Sequence, residues 1–156
     1  QLLNRLVRAN QALHPDAQPN RDAFGQAVRR AREVLRPGSL VIILCDERTL
    51  TDSSEQQLAL LARHTDLVLL PISDPLDHAL PAAGLLNFTE RGALLELDTH
   101  DNELRQAYRR LAEIREQRWQ RLAQKLGVPL LPLSTQDELI DQLRDQLQSL
   151  HPRKQP

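Results

Sequence analysis

The chain has 156 residues, 40% of them apolar, which is the size of one ordinary domain with a sizeable core. Lys and Arg (20) nearly balance Asp and Glu (21), so no net field draws the protein onto nucleic acid or an anionic membrane. A single cysteine, Cys45, excludes an internal disulfide framework and a cysteine-rich zinc site, and no apolar run approaches the roughly 18 residues that span a bilayer.

The chain opens at Gln1 directly on a helix-like pattern, without a basic segment and apolar core of signal type, and has no methionine. The expectation is a soluble portion cut from a longer protein. Leu2, Leu3, Leu6, Val7 and Leu13 recur at helical spacing and predict a helix over about 2–13, followed by a polar linker from Pro15 to about Pro19. Phe24, Ala27, Val28, Ala31, Val34 and Leu35 form a second helical stripe, with Asn20 or Asp22 as its cap and Pro37-Gly38 as its stop. Leu40 to Cys45 then reads as a strand buried on both faces, because a parallel strand covered by helices shows a continuous apolar run, and Asp46 ends that run.

Asp52, Ser53 and Ser54 can cap a helix to about His64, and Leu67 to Ile72 supplies the next strand. This strand, helix, strand unit implies parallel pairing with a right-handed crossover. Gly84 to Phe88 and Ala93 to Asp98, separated by Thr89 to Gly92, predict a short hairpin at a sheet edge. A long helix follows from Asn102 to Leu126, with Leu104, Tyr108, Leu111, Trp119, Leu122 and Leu126 on its apolar side and Gly127 as its stop; Arg115 interrupts the stripe. Val128 to Leu133 is a last short strand, and Thr135 with Glu138 forms a capping-box pattern. The final helix carries Leu139, Ile140, Leu143, Leu147 and Leu150 as its core face. The division is a single domain over 1–150 and a disordered tail over 151–156.

In open α/β sheets ligands gather at the carboxyl ends of the parallel strands, so Asp46 and Ser73-Asp74-Pro75 are expected on one rim. Asp46, Glu47, Asp52, Asp74 and Asp77 are oxygen ligands of the kind Mg²⁺ prefers, with Ser53 or Ser54 as further donors, and equally the kind of acids found as solvated caps. His78 and His100, near Asp74, Asp77, Asp98 and Asp101, lack the helical spacing of a zinc motif and are weak candidates for a general base. Cys45, at the end of a buried strand, reads as a small core residue before it reads as a nucleophile. No glycine-rich phosphate loop or Gly-x-Ser-x-Gly elbow is present. Arg105, Arg109, Arg110, Arg115, Arg118 and Arg121 are interleaved with Glu103, Glu113 and Glu116, which favours an ion-paired solvated face over a nucleic-acid surface.

Taken in order, Pro37 to Asp46, Asp74-Pro75-Leu76-Asp77 with Leu80 to Gly84, Asp98 with Arg105 and Tyr108, and Leu133-Ser134-Thr135 resemble the C-terminal half of the "domain of unknown function 58" proteins over roughly residues 20–147. The resemblance implies an open, mainly parallel α/β sheet with helices on both faces, von Willebrand A-like and Rossmann-like, with a short edge hairpin and an N-terminal truncation. It also implies a metal-ion-dependent adhesion site built from an Asp-x-Ser-x-Ser loop, a threonine and an aspartate after the fourth strand. Asp46 matches that aspartate; the first loop would lie before Gln1, and the threonine's region, Asn20 to Asp22, offers no Thr. The metal site is therefore expected to be incomplete here, with no cofactor in this chain and Mg²⁺ reserved for the intact protein.

The resemblance further implies a bacterial, non-enzymatic interaction module working with a MoxR-type AAA+ ATPase in assembly or chaperone-like work. Its expected place is the cytoplasm, and any membrane anchor would lie in segments outside this chain. The alternative is a metal-dependent hydrolase using Asp46 and Asp74 as ligands with His78 as base. Self-association through an uncovered sheet edge is also expected.

Overall fold

A computed structural model of the chain describes residues 2–12, 20–90 and 93–150. Its elements in order are α1 (Leu2–Gln11), α2 (Ala23–Val34), β1 (Leu40–Asp46), a 3₁₀ turn (Glu47–Thr49), α3 (Asp52–Leu61), β2 (Asp66–Ser73) and α4 (Pro75–His78). There follow β3 (Leu85–Glu90), β4 (Ala93–Asp98), α5 (Asn102–Leu126), β5 (Leu133–Ser134) and α6 (Leu139–Leu150). The fold is α/β: a parallel three-stranded sheet in the order β1-β2-β5 flanked by helices, and a small antiparallel hairpin, β3-β4, forming its own two-stranded sheet.

β1 and β2 run in parallel from Leu40 opposite Asp66 to Asp46 opposite Ile72, and β5 joins the far side of β2 at Ile72 and Ser73. All three carboxyl ends therefore meet at one edge. Strand alternation puts Val41, Ile43 and Cys45 on the same sheet face as Leu67, Leu69 and Pro71. Most of these side chains belong to the main core, together with Val28 of α2, Leu58 and Leu61 of α3 and Trp119 and Leu122 of α5. Gly25 lets α2 approach α3 closely, since a Cβ there would sit 3.4 Å from Ser53 Oγ and from the backbone of Ser54. On the opposite face Leu70, Leu131 and Leu133 pack together, joined by Val68, Ile72 and Leu143 of α6.

β1 departs from the expected burial on both faces. Its outer residues Leu40, Ile42 and Leu44 are 64%, 54% and 60% exposed, because β1 is the edge strand and α6 packs only against the β2 and β5 side. Three of the expected core residues of α6, Leu139, Ile140 and Leu147, are likewise exposed, and Leu143 alone packs inward among those described. Along α5 the bounds are as predicted, but Leu111 faces solvent and Ala112 is buried in its place. Gly127 closes α5 in the left-handed region at φ +65°, where glycine carries no Cβ penalty.

The predicted strand over 128–133 is shorter than expected. Pro129 and Pro132 have no N–H for a ladder, so pairing reduces to an isolated bridge between Leu69 and Leu130 and the two residues of β5. α3 is capped by Thr51 in a reciprocal capping box with Ser54, one residue before the expected caps, and ends at Leu61. Asp22 stands at the N-cap of α2 without a side-chain cap bond, and the Oδ1 of Asn20 accepts its N–H at 3.0 Å. Leu13, the linker over 15–19, Arg91 and Gly92 of the hairpin turn, and the tail over 151–156 lie outside the described residues.

Candidate functional site

β1 delivers Asp46 to the rim, and the 3₁₀ turn folds Arg48 back over it. The Arg48 backbone N–H donates to Asp46 Oδ1 at 2.7 Å, its Nε donates to the same oxygen at 3.2 Å, and its Nη2 donates to Oδ2 at 2.9 Å. The third guanidinium nitrogen, Nη1, lies 3.3 Å from Asp77 Oδ1 on α4. The hydrogen bonds from Arg48 hold the Asp46 carboxyl below the usual carboxylate range, and those to Asp46 push Arg48 above its own. Thr49 completes the turn by donating its hydroxyl to the Asp46 carbonyl at 2.6 Å.

The end of β2 is fastened separately. Asp74 caps α4, its Oδ1 accepting the Leu76 N–H at 2.9 Å, while Asp77 Oδ2 accepts the Asp74 N–H at 2.9 Å. From the end of β5, Thr135 donates its hydroxyl to Asp74 Oδ2 at 2.6 Å. That bond, followed by the one from Leu76, holds the Asp74 carboxyl low. Thr135 was expected to open a capping box with Glu138; with α6 starting only at Leu139, its hydroxyl ties β5 to β2 instead.

Behind the rim sits Glu47, 6% exposed. Arg115 Nε donates to its Oε1 at 3.2 Å, His78 Nε2 lies 3.4 Å from its Oε2, and the Trp119 indole donates to its carbonyl at 2.8 Å. Arg115 also donates to the Asp77 carbonyl, so the cation that interrupts the α5 stripe joins the 3₁₀ turn to α4. A hollow of about 150 Å³ is lined by Glu47, Ser73, His78, Trp119 and Gln120 among others. In front of the rim a more open hollow of about 440 Å³ is lined by Asn20, Arg21, Phe24, Asp46, Arg48 and Thr51, among others.

The rim thus brings together Asp46, Glu47, Asp74, Asp77 and His78, with Arg48, Arg115 and Thr135 as partners that a reading along the chain did not pair with them. Asp52 is on α3, paired with Arg118, which also binds Glu55. Ser54 is buried in the α3 cap, and Ser53 lies against Gly25. Asp98 and Asp101 accept backbone N–H groups at the start of α5, and His100 sits beside Gly84. Cys45 packs half-buried against the main core, and burial pushes its thiol up. Of the arginines on α5, Arg105 donates to the Thr99 carbonyl and Arg121 to the Gln117 carbonyl.

Both Asp46 oxygens accept hydrogen bonds from Arg48, and among the described residues no group of three or more His, Cys, Asp or Glu side chains is arranged to hold a metal ion. As arranged, the rim does not fit a divalent cation that requires near-octahedral oxygen ligation. The family model described as "Protein of unknown function DUF58" matches residues 1–118. No curated protein and no solved structure matches the chain.

Proposed function

The chain belongs to the DUF58 family of proteins of unknown function, and from that premise we propose that it is a non-enzymatic protein-interaction module of von Willebrand A-like build. In this reading it works with a MoxR-type AAA+ ATPase in assembly or chaperone-like work in the bacterial cytoplasm. The observation that carries the reading is the cross-tying of the rim: Arg48 links Asp46 to Asp77, and Thr135 links β5 to Asp74. These bonds make three strand ends and α4 into one fixed polar surface, the kind of preorganised face that docking favours. Leu76, 59% exposed on α4, offers an apolar anchor on that helix.

Membrane attachment in this reading comes through segments outside this chain; no helix among the described residues is long and apolar enough to cross a membrane. Mg²⁺, likewise, belongs to the intact protein. The test is a binding titration of the intact protein against the purified ATPase. Leu76→Arg is expected to weaken binding about tenfold, the scale of a moderate interface anchor, with an unchanged melting temperature. Equal affinity for Leu76→Arg and the parent would remove the rim as the docking face.

A metal-dependent hydrolase is the second reading, favoured by one observation, the pairing of His78 with buried Glu47 beside the smaller hollow. It requires turnover of generic phosphoesters that is lost in His78→Ala, and an absence of turnover with every divalent metal would sink it.

A further inference from the structure

The outer face of the parallel sheet is covered on one side only. α6 lies over β2 and β5, with Leu143 against Leu70, Leu131 and Leu133. At 3.6 residues per turn, Gln142 and Gln146 fall about 100° and 60° to one side of Leu143, and Ile140 and Leu147 about 60° and 40° to the other. The glutamines settle which side is which. Gln142 Nε2 donates to the Ser134 carbonyl at 2.9 Å and Gln146 Nε2 donates to the Pro132 carbonyl, so their flank of α6 is the β5 side. The opposite flank, where Ile140 and Leu147 are exposed, looks toward β1. On β1, Ile42 and Leu44 stand in register with Val68 and Leu70, so they share the face that α6 covers, yet with Leu40 they are open to solvent.

The result is a groove with β1 as its floor and the flank of α6 as its wall. Its width suits one helix, since β1 lies about 5 to 10 Å across the sheet from the strands under α6 and packed helices stand about 8 to 10 Å apart. The floor from Leu40 to Leu44 is about 13 Å long. α1, with its 10 residues, is about 15 Å long. Leu3, Leu6 and Val7 form one stripe of α1 and are all exposed, while Arg5 and Arg8 lie on the opposite side and the helix has no acid. A helix this short has little stability in water unless its apolar face is packed. The charges are compatible: α6 has two acids, Asp141 and Asp145, against one cation, Arg144, so α1 and α6 carry opposite net charges.

We propose that the groove receives α1 of a second copy of this chain, and that two copies exchange their α1 helices about a two-fold axis. Within one copy the stripe of α1 and the groove beside α6 are both open to solvent. Exchange fills both grooves and covers both stripes at once, so the contact closes at two copies and leaves nothing of this kind to recruit a third. The contact uses the outer face of the sheet and leaves the rim free, so it does not depend on the rim being a docking face.

The test is the mass of the full chain by multi-angle light scattering over a range of concentrations. The parent is expected to be a dimer, and Leu6→Glu and Ile42→Lys are each expected to halve its mass. Both side chains are exposed within one copy, so each variant should keep a cooperative melting transition. Val7→Glu and Leu44→Lys form a second pair of variants with the same expectation. Mixing Leu6→Glu with Ile42→Lys should restore a dimer, because the intact helix of the second chain meets the intact groove of the first. Pairing of two copies through their β1 edges alone gives a different pattern, in which Leu6→Glu and Val7→Glu stay dimeric, and that result would overturn the proposal. So would a mixture of the two variants that stays monomeric, or a parent that is monomeric at every concentration, whether its groove is open or filled by its own α1.

Discussion

Asp46 shows how a strand-end carboxylate acquires a specific task from its neighbours. Its position was legible, since an apolar run that stops at an acid predicts a strand reaching a polar rim. Its partner was not, because Arg48 is two residues away and only the 3₁₀ turn brings the guanidinium back over the carboxylate. Arg115 was legible only as an interruption of the apolar stripe of α5: it was expected on an ion-paired solvated face with Glu103, Glu113 and Glu116, and its partner is instead the buried Glu47, 68 positions away. Thr135 and Asp74 lie 61 positions apart, and nothing local marks their bond.

Two outcomes follow at this scale. Asp46 has a folded pKa depressed below the unfolded value of about 3.9, so its contribution is present above that value and is lost as pH falls through the folded one. Stability should therefore decline below about pH 4, and Asp46→Asn should blunt the decline while costing only about 0.5 kcal/mol at neutral pH, since the pair is solvent-screened. Acid-titrated melting curves of parent and variant check this. Arg115→Met should cost more, about 3 kcal/mol in chemical denaturation, because it leaves Glu47 buried with a lost charge partner. Adding Glu47→Gln should recover part of that loss.

At the scale of elements, local signals served best where one element decides its own ends. α5 runs from Asn102 to Leu126 and stops at Gly127 as its pattern predicts, with Asp101 as a cap that the pattern did not single out, and Gly127→Ala should destabilise by about 1 kcal/mol because alanine resists the left-handed backbone. β5 was harder to read: its apolar run is real, but two prolines silence the donors a strand needs. Apolar content also overstated burial in β1 and α6, since a continuous run records what a segment can bury and leaves open whether a neighbour covers both faces. The outer face of β1 has a measurable consequence. Leu40, Ile42 and Leu44 beside an edge that is unpaired among the described residues favour self-association, so light scattering should give dimers or larger species for the parent and a lower mass for Ile42→Lys.

Across the whole molecule, the parallel order β1-β2-β5 sends three strand ends to one edge, where the turns that follow them, α4 and α5 supply acids, hydroxyls and arginines within hydrogen-bonding reach. The sequence carried the fold class and the location of this rim, because strand period, helix caps and the family motif agree with one another. It did not carry the pairing of charges within the rim, which depends on side chains that meet only after β1, β2 and α5 have packed. The reading of the rim as a docking surface is tested most directly by hydrogen exchange on the intact protein, with and without the proposed partner, a MoxR-type ATPase. Protection is expected to concentrate in the Glu47–Thr49 turn, in α4 and around Ser134 and Thr135. Exchange unchanged at all three places while another surface becomes protected would contradict it.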